Sequence, residues 1–141
     1  MESTNRHTGG ESQYERLERL LAANRNLTKA DQQFLDAVHR IVLELMPLQC
    51  VDIENVSSRL FIHSSKFRRC VVSATGVSPA NYLMVLRMRH ALEILEYYPN
   101  NTISMVATAC GFANHSHFTH VFKRMLGCAP QQYLREKGIL S

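Results

Sequence analysis

Residues 53–83 read IENVSSRLFIHSSKFRRCVVSATGVSPANYL, and residues 103–134 read ISMVATACGFANHSHFTHVFKRMLGCAPQQYL. The second stretch repeats the first. Phe67, Val71, Gly76, Pro79, Tyr82 and Leu83 recur as Phe118, Phe122, Gly127, Pro130, Tyr133 and Leu134, each pair 51 positions apart. Nearer the start the separation is 50, matching Ile53 with Ile103, Val56 with Val106 and Ser57 with Ala107. The one-residue difference falls between two short apolar-periodic segments, where a turn absorbs it. Each copy reads as a short helix, a tight turn, a second short helix, a glycine stop and a proline restart. A small residue on the first helix, Ser57 or Ala107, lets the second cross it closely and steeply. That is the helix-turn-helix arrangement. The competing reading is a ligand-free helical array, for which two copies are few.

Between the copies Ser78-Pro79 opens a helix, a hydroxyl cap with proline in the first turn, that runs to about Tyr97. At ~1.5 Å per residue it spans roughly 27–29 Å. Successive major grooves on one face of B-DNA lie ~34 Å apart, so this strut can hold two reading helices about one turn apart. Upstream, Tyr14 to Ala23 sets Leu17, Leu20 and Leu21 on one face, and a helix that short must pack on a neighbour or fray. Thr28 with Asp31 caps a helix carrying Phe34, Leu35, Val38, Ile41, Val42 and Leu45, which ends before Pro47. Asp52, Thr102 and Asn114 cap the helices that follow, and Pro130 opens the last. With β-type alternation absent, the expected fold is all-α: two helix-turn-helix subdomains joined by a long central helix. Residues 1–27 read as a flexible leader or linker with one short helix. Residues 28–141 read as the domain, with units at about 52–76 and 103–127 around a linking helix at about 79–97.

The chain of 141 residues is 45% hydrophobic and 20% charged, a globular composition. It has no apolar run of membrane-spanning length, and its polar first residues lack a secretory apolar stretch, so the expected location is cytoplasmic and nucleoid-associated. Net charge is +4, but its distribution matters more. From Ser57 to Arg135 nine basic residues (Arg59, Lys66, Arg68, Arg69, Arg87, Arg89, Lys123, Arg124 and Arg135) face only Glu93 and Glu96. A local basic excess is what a polyanion-binding face requires. The non-core positions of both second helices are polar or basic. In the first they are Ser64, Ser65, Lys66, Arg68 and Arg69; in the second, Asn114, His115, Ser116, Thr119, His120, Lys123 and Arg124.

Other chemistry has little support. Cys50, Cys70, Cys110 and Cys128 form no CxxC pair and read as small buried hydrophobes. His115, His117 and His120 with Cys110 raise a metal reading, yet zinc needs four converging ligands at recognised spacing. No metal and no cofactor is expected. No catalytic constellation is present, so an enzyme is not expected either.

The run Gly111-Phe112-Ala113-Asn114-His115-Ser116-His117-Phe118, followed by Phe122-Lys123-Arg124, Gly127-Cys128-Ala129-Pro130 and Tyr133, resembles the signature of the AraC/XylS family. So do Phe67, Arg69, Thr75-Gly76, Ser78-Pro79, Tyr82, Leu86-Arg87, Ala91 and Leu95. The resemblance covers about Asp52 to Arg135. It implies a bipartite domain that binds double-stranded promoter DNA and usually recruits RNA polymerase, with no membrane partner, acting as a transcription regulator and activator. It also places Ser65, Arg68 and Arg69, and His115, Ser116, Thr119 and His120, at groove-facing positions. An arginine there can donate a bidentate pair to guanine; its other uses are a phosphate contact or an internal salt bridge to Glu93 or Asp52. Serine, threonine and histidine read less selectively, Lys123 and Arg124 suit phosphates, and Asn114 suits a cap. The pattern is broken at His63, where a serine usually caps and the cap is expected to shift to Ser64, and at His117 and Ala129. Residues 15–45 resemble, more weakly, the linker ahead of such domains in hybrid two-component regulators, which implies a sensor or receiver domain absent from this chain; the stand-alone small activators of the family are the other reading. The reading from another class is a helical protein-interaction module of the same fold that has lost DNA binding.

Overall fold

A computed structural model describes residues 10–23 and 27–138. The expected leader lies, over residues 1–9, outside this part. Eight α-helices are described: α1 (Gln13–Ala23), α2 (Lys29–Leu45), α3 (Ile53–Arg59), α4 (Ser64–Thr75), α5 (Pro79–Tyr97), α6 (Ile103–Ala109), α7 (His115–Leu126) and α8 (Pro130–Glu136). A 3-10 turn, Met46–Leu48, follows α2, and no strand occurs among the described residues.

Local chemistry starts and stops each helix. Thr28 and Asp31 form a reciprocal capping box on α2. Asp52, Ser78, Thr102 and Asn114 accept a backbone N–H at the starts of α3, α5, α6 and α7, each cap contributing about 1 kcal/mol. Gly76 and Gly127 end α4 and α7 in the left-handed region, at φ 73° and 87°.

The two units share one core around α5. Phe67, Val71, Phe118 and Phe122, the repeated apolar positions, are all fully buried, each phenylalanine worth about 1.5–3 kcal/mol against exposure. Phe112, Phe118, Phe122 and Tyr133 stack edge-on or tilted in sequence, with centroids 5.3–5.8 Å apart. Ser57 and Ala107 are buried where the paired helices cross; Ser57 satisfies its hydroxyl on the Ile53 carbonyl at 2.7 Å.

The turns match bond for bond. Ile62 N–H donates to the Ser57 carbonyl at 3.2 Å, and Phe112 N–H to the Ala107 carbonyl at 2.9 Å. The extra residue of the second unit is thereby located: it is Ala113, between Phe112 and the cap Asn114.

Helix α1 packs rather than frays. Tyr14 and Leu17 are buried, and α1 lies against α5 and α7. Its Glu18 takes a bidentate pair from Arg89 of α5 at 2.7 and 3.1 Å and a hydrogen bond from the Tyr14 hydroxyl.

Candidate nucleic-acid interface

Helices α4 and α7 each turn a large hydrophobic face inward and leave the other free. In α4, Phe67, Val71, Ala74 and Thr75 are buried while Ser65, Lys66, Arg68 and Arg69 are exposed and Ser64 is half-buried. In α7, Phe118, Val121, Phe122, Met125 and Leu126 are buried while His115, Ser116, His120, Lys123 and Arg124 are exposed. Neither helix contains a carboxylate. Ser65, Arg68, Arg69 and Val72 share one stripe at helical spacing, and 51 residues on, Ser116, Thr119, His120 and Lys123 form its counterpart. Val72, half exposed, was missing from the expected reading face; the i, i+3, i+4, i+7 spacing from Ser65 is the signal that finds it.

Thr119 stands apart from its neighbours. It is half-buried, its hydroxyl oxygen is buried without a hydrogen-bond partner, and it lines a cleft with Ile103, Ala129, Pro130 and Gln131.

Arg68 and Arg69 are in no ion pair among the described residues. The two carboxylates suggested as internal partners are engaged elsewhere: Glu93 lies 3.7 Å from His90, and Asp52 caps α3 while holding the Asn55 side chain. The basic excess itself needs correction. Arg59 pairs with Glu44 at 3.1 Å, Arg89 with Glu18, and Arg87 turns inward. Arg87 Nε donates to the Cys110 carbonyl at 3.0 Å, with its guanidinium 3.9 Å over the Phe112 ring. Burial lowers its pKa from the ordinary arginine value, and burial raises the neighbouring Cys110 thiol to about 12. These three cations hold elements together; the other six of the nine are in no ion pair among the described residues, and all but Arg135 lie on α4 and α7.

The departures from the family pattern have structural answers. His63 itself caps α4, correcting the expected shift to Ser64: its Nδ1 accepts the Ser65 N–H at 3.1 Å. An imidazole reaches back as a serine hydroxyl does. His117 sets its ring edge-on to Phe112 at 5.3 Å, keeping an aromatic contact at that position. Ala129 leaves α8 without a side-chain cap. No group of three or more metal-ligating side chains gathers among the described residues, and no described helix is long and apolar enough to cross a membrane.

Two such units, each with a short buried helix bracing a second helix whose outer face is cationic and free of carboxylates, define a helix-turn-helix DNA-binding domain of a transcription regulator. A family model described as a helix-turn-helix domain matches residues 56–136. The chain belongs to the AraC-type helix-turn-helix family of transcription regulators. It is 29% identical over 84 residues to the HTH-type transcriptional activator RhaS of Escherichia fergusonii, a match covering 60% of this chain and 30% of RhaS. It thus spans about a third of the length of such relatives. Its fold resembles that of the C-terminal domain of AraT, a response regulator from Geobacillus stearothermophilus, with TM-score 0.66 and 22% identity over 79% of this chain and 88% of that one. It also resembles the DNA-binding domain of the global transcriptional factor AdpA, solved in complex with a target DNA, with TM-score 0.59 and 25% identity over 72% of this chain and 95% of that one.

Proposed function

We propose that this chain is the promoter-reading part of a transcription activator, and that α4 and α7 read two adjacent major-groove segments on one face of the duplex. One observation carries this reading: the repeat places Ser65, Arg69 and Val72 of α4 and their counterparts Ser116, His120 and Lys123 of α7 on matching exposed stripes, opposite each helix's buried side. Arg69 and Arg68 supply direct readout or phosphate contact; Lys123 and Arg124, late in α7, supply phosphate contact. His115, Ser116 and His120 read more through shape. Residues 28–141 serve as the domain proper, with α1, packed on α5 and α7, as its connection to a sensor or receiver domain in a longer protein. RNA polymerase is the partner that activation requires.

Selection of bound duplexes from a random pool tests this directly. Two short enriched blocks about 10–10.5 bp apart are expected. A single block would leave one unit without a reading role. No enrichment at all would favour the protein-interaction module.

A further inference from the structure

His63 is exposed and sits in extended backbone, φ −69° and ψ 147°, one residue ahead of α4. Its Nδ1 accepts the Ser65 backbone N–H at 3.1 Å and also lies 2.9 Å from Ser65 Oγ. The backbone donor requires a lone pair on Nδ1, because a proton there would meet another proton. The hydrogen shared with Ser65 Oγ must then be the hydroxyl's own, and the neutral imidazole carries its proton on Nε2. With that hydrogen turned back to His63, Ser65 presents only oxygen lone pairs to anything outside. It is an acceptor with no donor left to give.

We infer that His63 selects the base that Ser65 reads. An acceptor-only hydroxyl in the major groove pairs with an amino group, N4 of cytosine or N6 of adenine, and finds no partner on guanine or thymine, which present acceptors there. An unrestrained serine accepts either kind of edge. The second unit is the internal control. Ser116 stands 51 positions after Ser65, but its cap, Asn114, accepts from the His117 N–H at 2.8 Å and leaves the serine hydroxyl free to rotate. The same residue type at equivalent positions is thus discriminating in one unit and permissive in the other. His63 acts here through Ser65 and is a positioning residue. This inference rests on the proposed reading of DNA by α4.

The test is base preference at single positions, measured by selection from a random duplex pool and then by competition between duplexes differing at one base. Wild type is expected to favour an amino-bearing base by about fivefold at one position, the size of one net hydrogen bond. Ser65→Ala should flatten that position alone. His63→Gly keeps a residue well tolerated at a helix start but removes the lone pair, so the preference should drop below about twofold, less than one net hydrogen bond. His63→Asn keeps a good helix cap but reproduces the Asn114–Ser116 arrangement of the second unit, so it too should lose the preference while α4 stays folded. A second measurement needs no variant: nitrogen-15 shifts of the His63 ring should show a neutral imidazole protonated at Nε2. An unchanged preference in His63→Gly or His63→Asn, or a proton on Nδ1, would each overturn the inference while leaving DNA reading intact. Failure of wild type to enrich any sequence would instead overturn the reading beneath it.

Discussion

A glycine and a phenylalanine hold the same backbone conformation in the two turns. Gly111 has φ 87° and Phe61, 50 positions earlier, has φ 59°. The difference lies in the space around them. A Cβ on Gly111 would meet the Met46 carbonyl oxygen at 3.2 Å and Val51 at 3.4 Å, whereas Phe61 points into solvent, 94% exposed. Gly111→Ala combines left-handed strain with a tight approach to the Met46 backbone and should destabilise the fold by about 2–3 kcal/mol. Gly76→Ala, with φ 73° but nothing within 4 Å, should cost only about 1 kcal/mol. Urea denaturation of the two variants measures the gap; equal losses would mean that the Met46 contact yields freely. On the reading face, Arg69→Ala should remove base preference from one enriched block and spare the other. Lys123→Ala should weaken all sequences alike and flatten the plot of log affinity against log salt by about one unit; an unchanged slope would remove Lys123 from the phosphate contacts. Which sides of α4 and α7 face outward was legible, Val72 and Thr119 aside, because both helices declare their buried sides with repeated aromatic and branched residues. His63 was not, since nothing in the order of residues says that an imidazole will reach its second neighbour's amide.

Among the elements, α5 carries more than spacing. Arg87 hydrogen-bonds to the Cys110 carbonyl, fastening the turn of the second unit to the strut, and Arg89 fastens α1. The helix boundaries were readable because capping is local: Thr28 with Asp31, Ser78 with Pro79, and Gly127 each act within a few residues. The inward turn of Arg87 and Arg89 was not, because their partners lie 23 and 71 residues away. Counting them with the reading face overstated its charge. Burial works to raise the Glu18 pKa, but hydrogen bonds from Arg89 and Tyr14 outweigh it and hold the carboxyl below its ordinary value of 4.5. A carboxyl depressed on folding contributes stability above the ordinary value and loses it as pH falls through the lowered one. Amide protection in α1 should therefore be full at neutral pH and fall on acidification below about 4.5, ahead of the rest of the molecule. Glu18→Gln should already have lost that protection at neutral pH, at a cost of about 1 kcal/mol for a partly exposed pair. Identical protection in both proteins would show that Tyr14 and Leu17 alone seat α1. A looser strut should also separate specific from non-specific binding. Met84→Gly with His90→Gly, at about 1 kcal/mol per glycine, should reduce affinity for the selected site far more than for random DNA.

At the scale of the whole molecule the two units are locked together as well as linked. The 3-10 turn after α2 reaches the second unit: Gln49 Nε2, just past it, donates to the Phe112 carbonyl at 3.3 Å, and Met46 abuts Gly111. One continuous core runs from Tyr14 to Leu134. A body so joined presents α4 and α7 in a fixed relation, which the proposed reading of two grooves by a single chain requires. Five exposed cations on the two helices, Lys66, Arg68, Arg69, Lys123 and Arg124, have no ion pair among the described residues. If all five meet phosphates, the salt slope should be about −4 to −5. The most direct test of two-unit reading is hydroxyl-radical footprinting of the selected site at stoichiometric protein, with analytical ultracentrifugation counting chains per duplex. The account predicts one chain giving two protected windows on one face, about 10–10.5 bp apart, with Arg69→Ala blurring one window and leaving the other sharp. One window per bound chain, or loss of both windows together in Arg69→Ala, would contradict it.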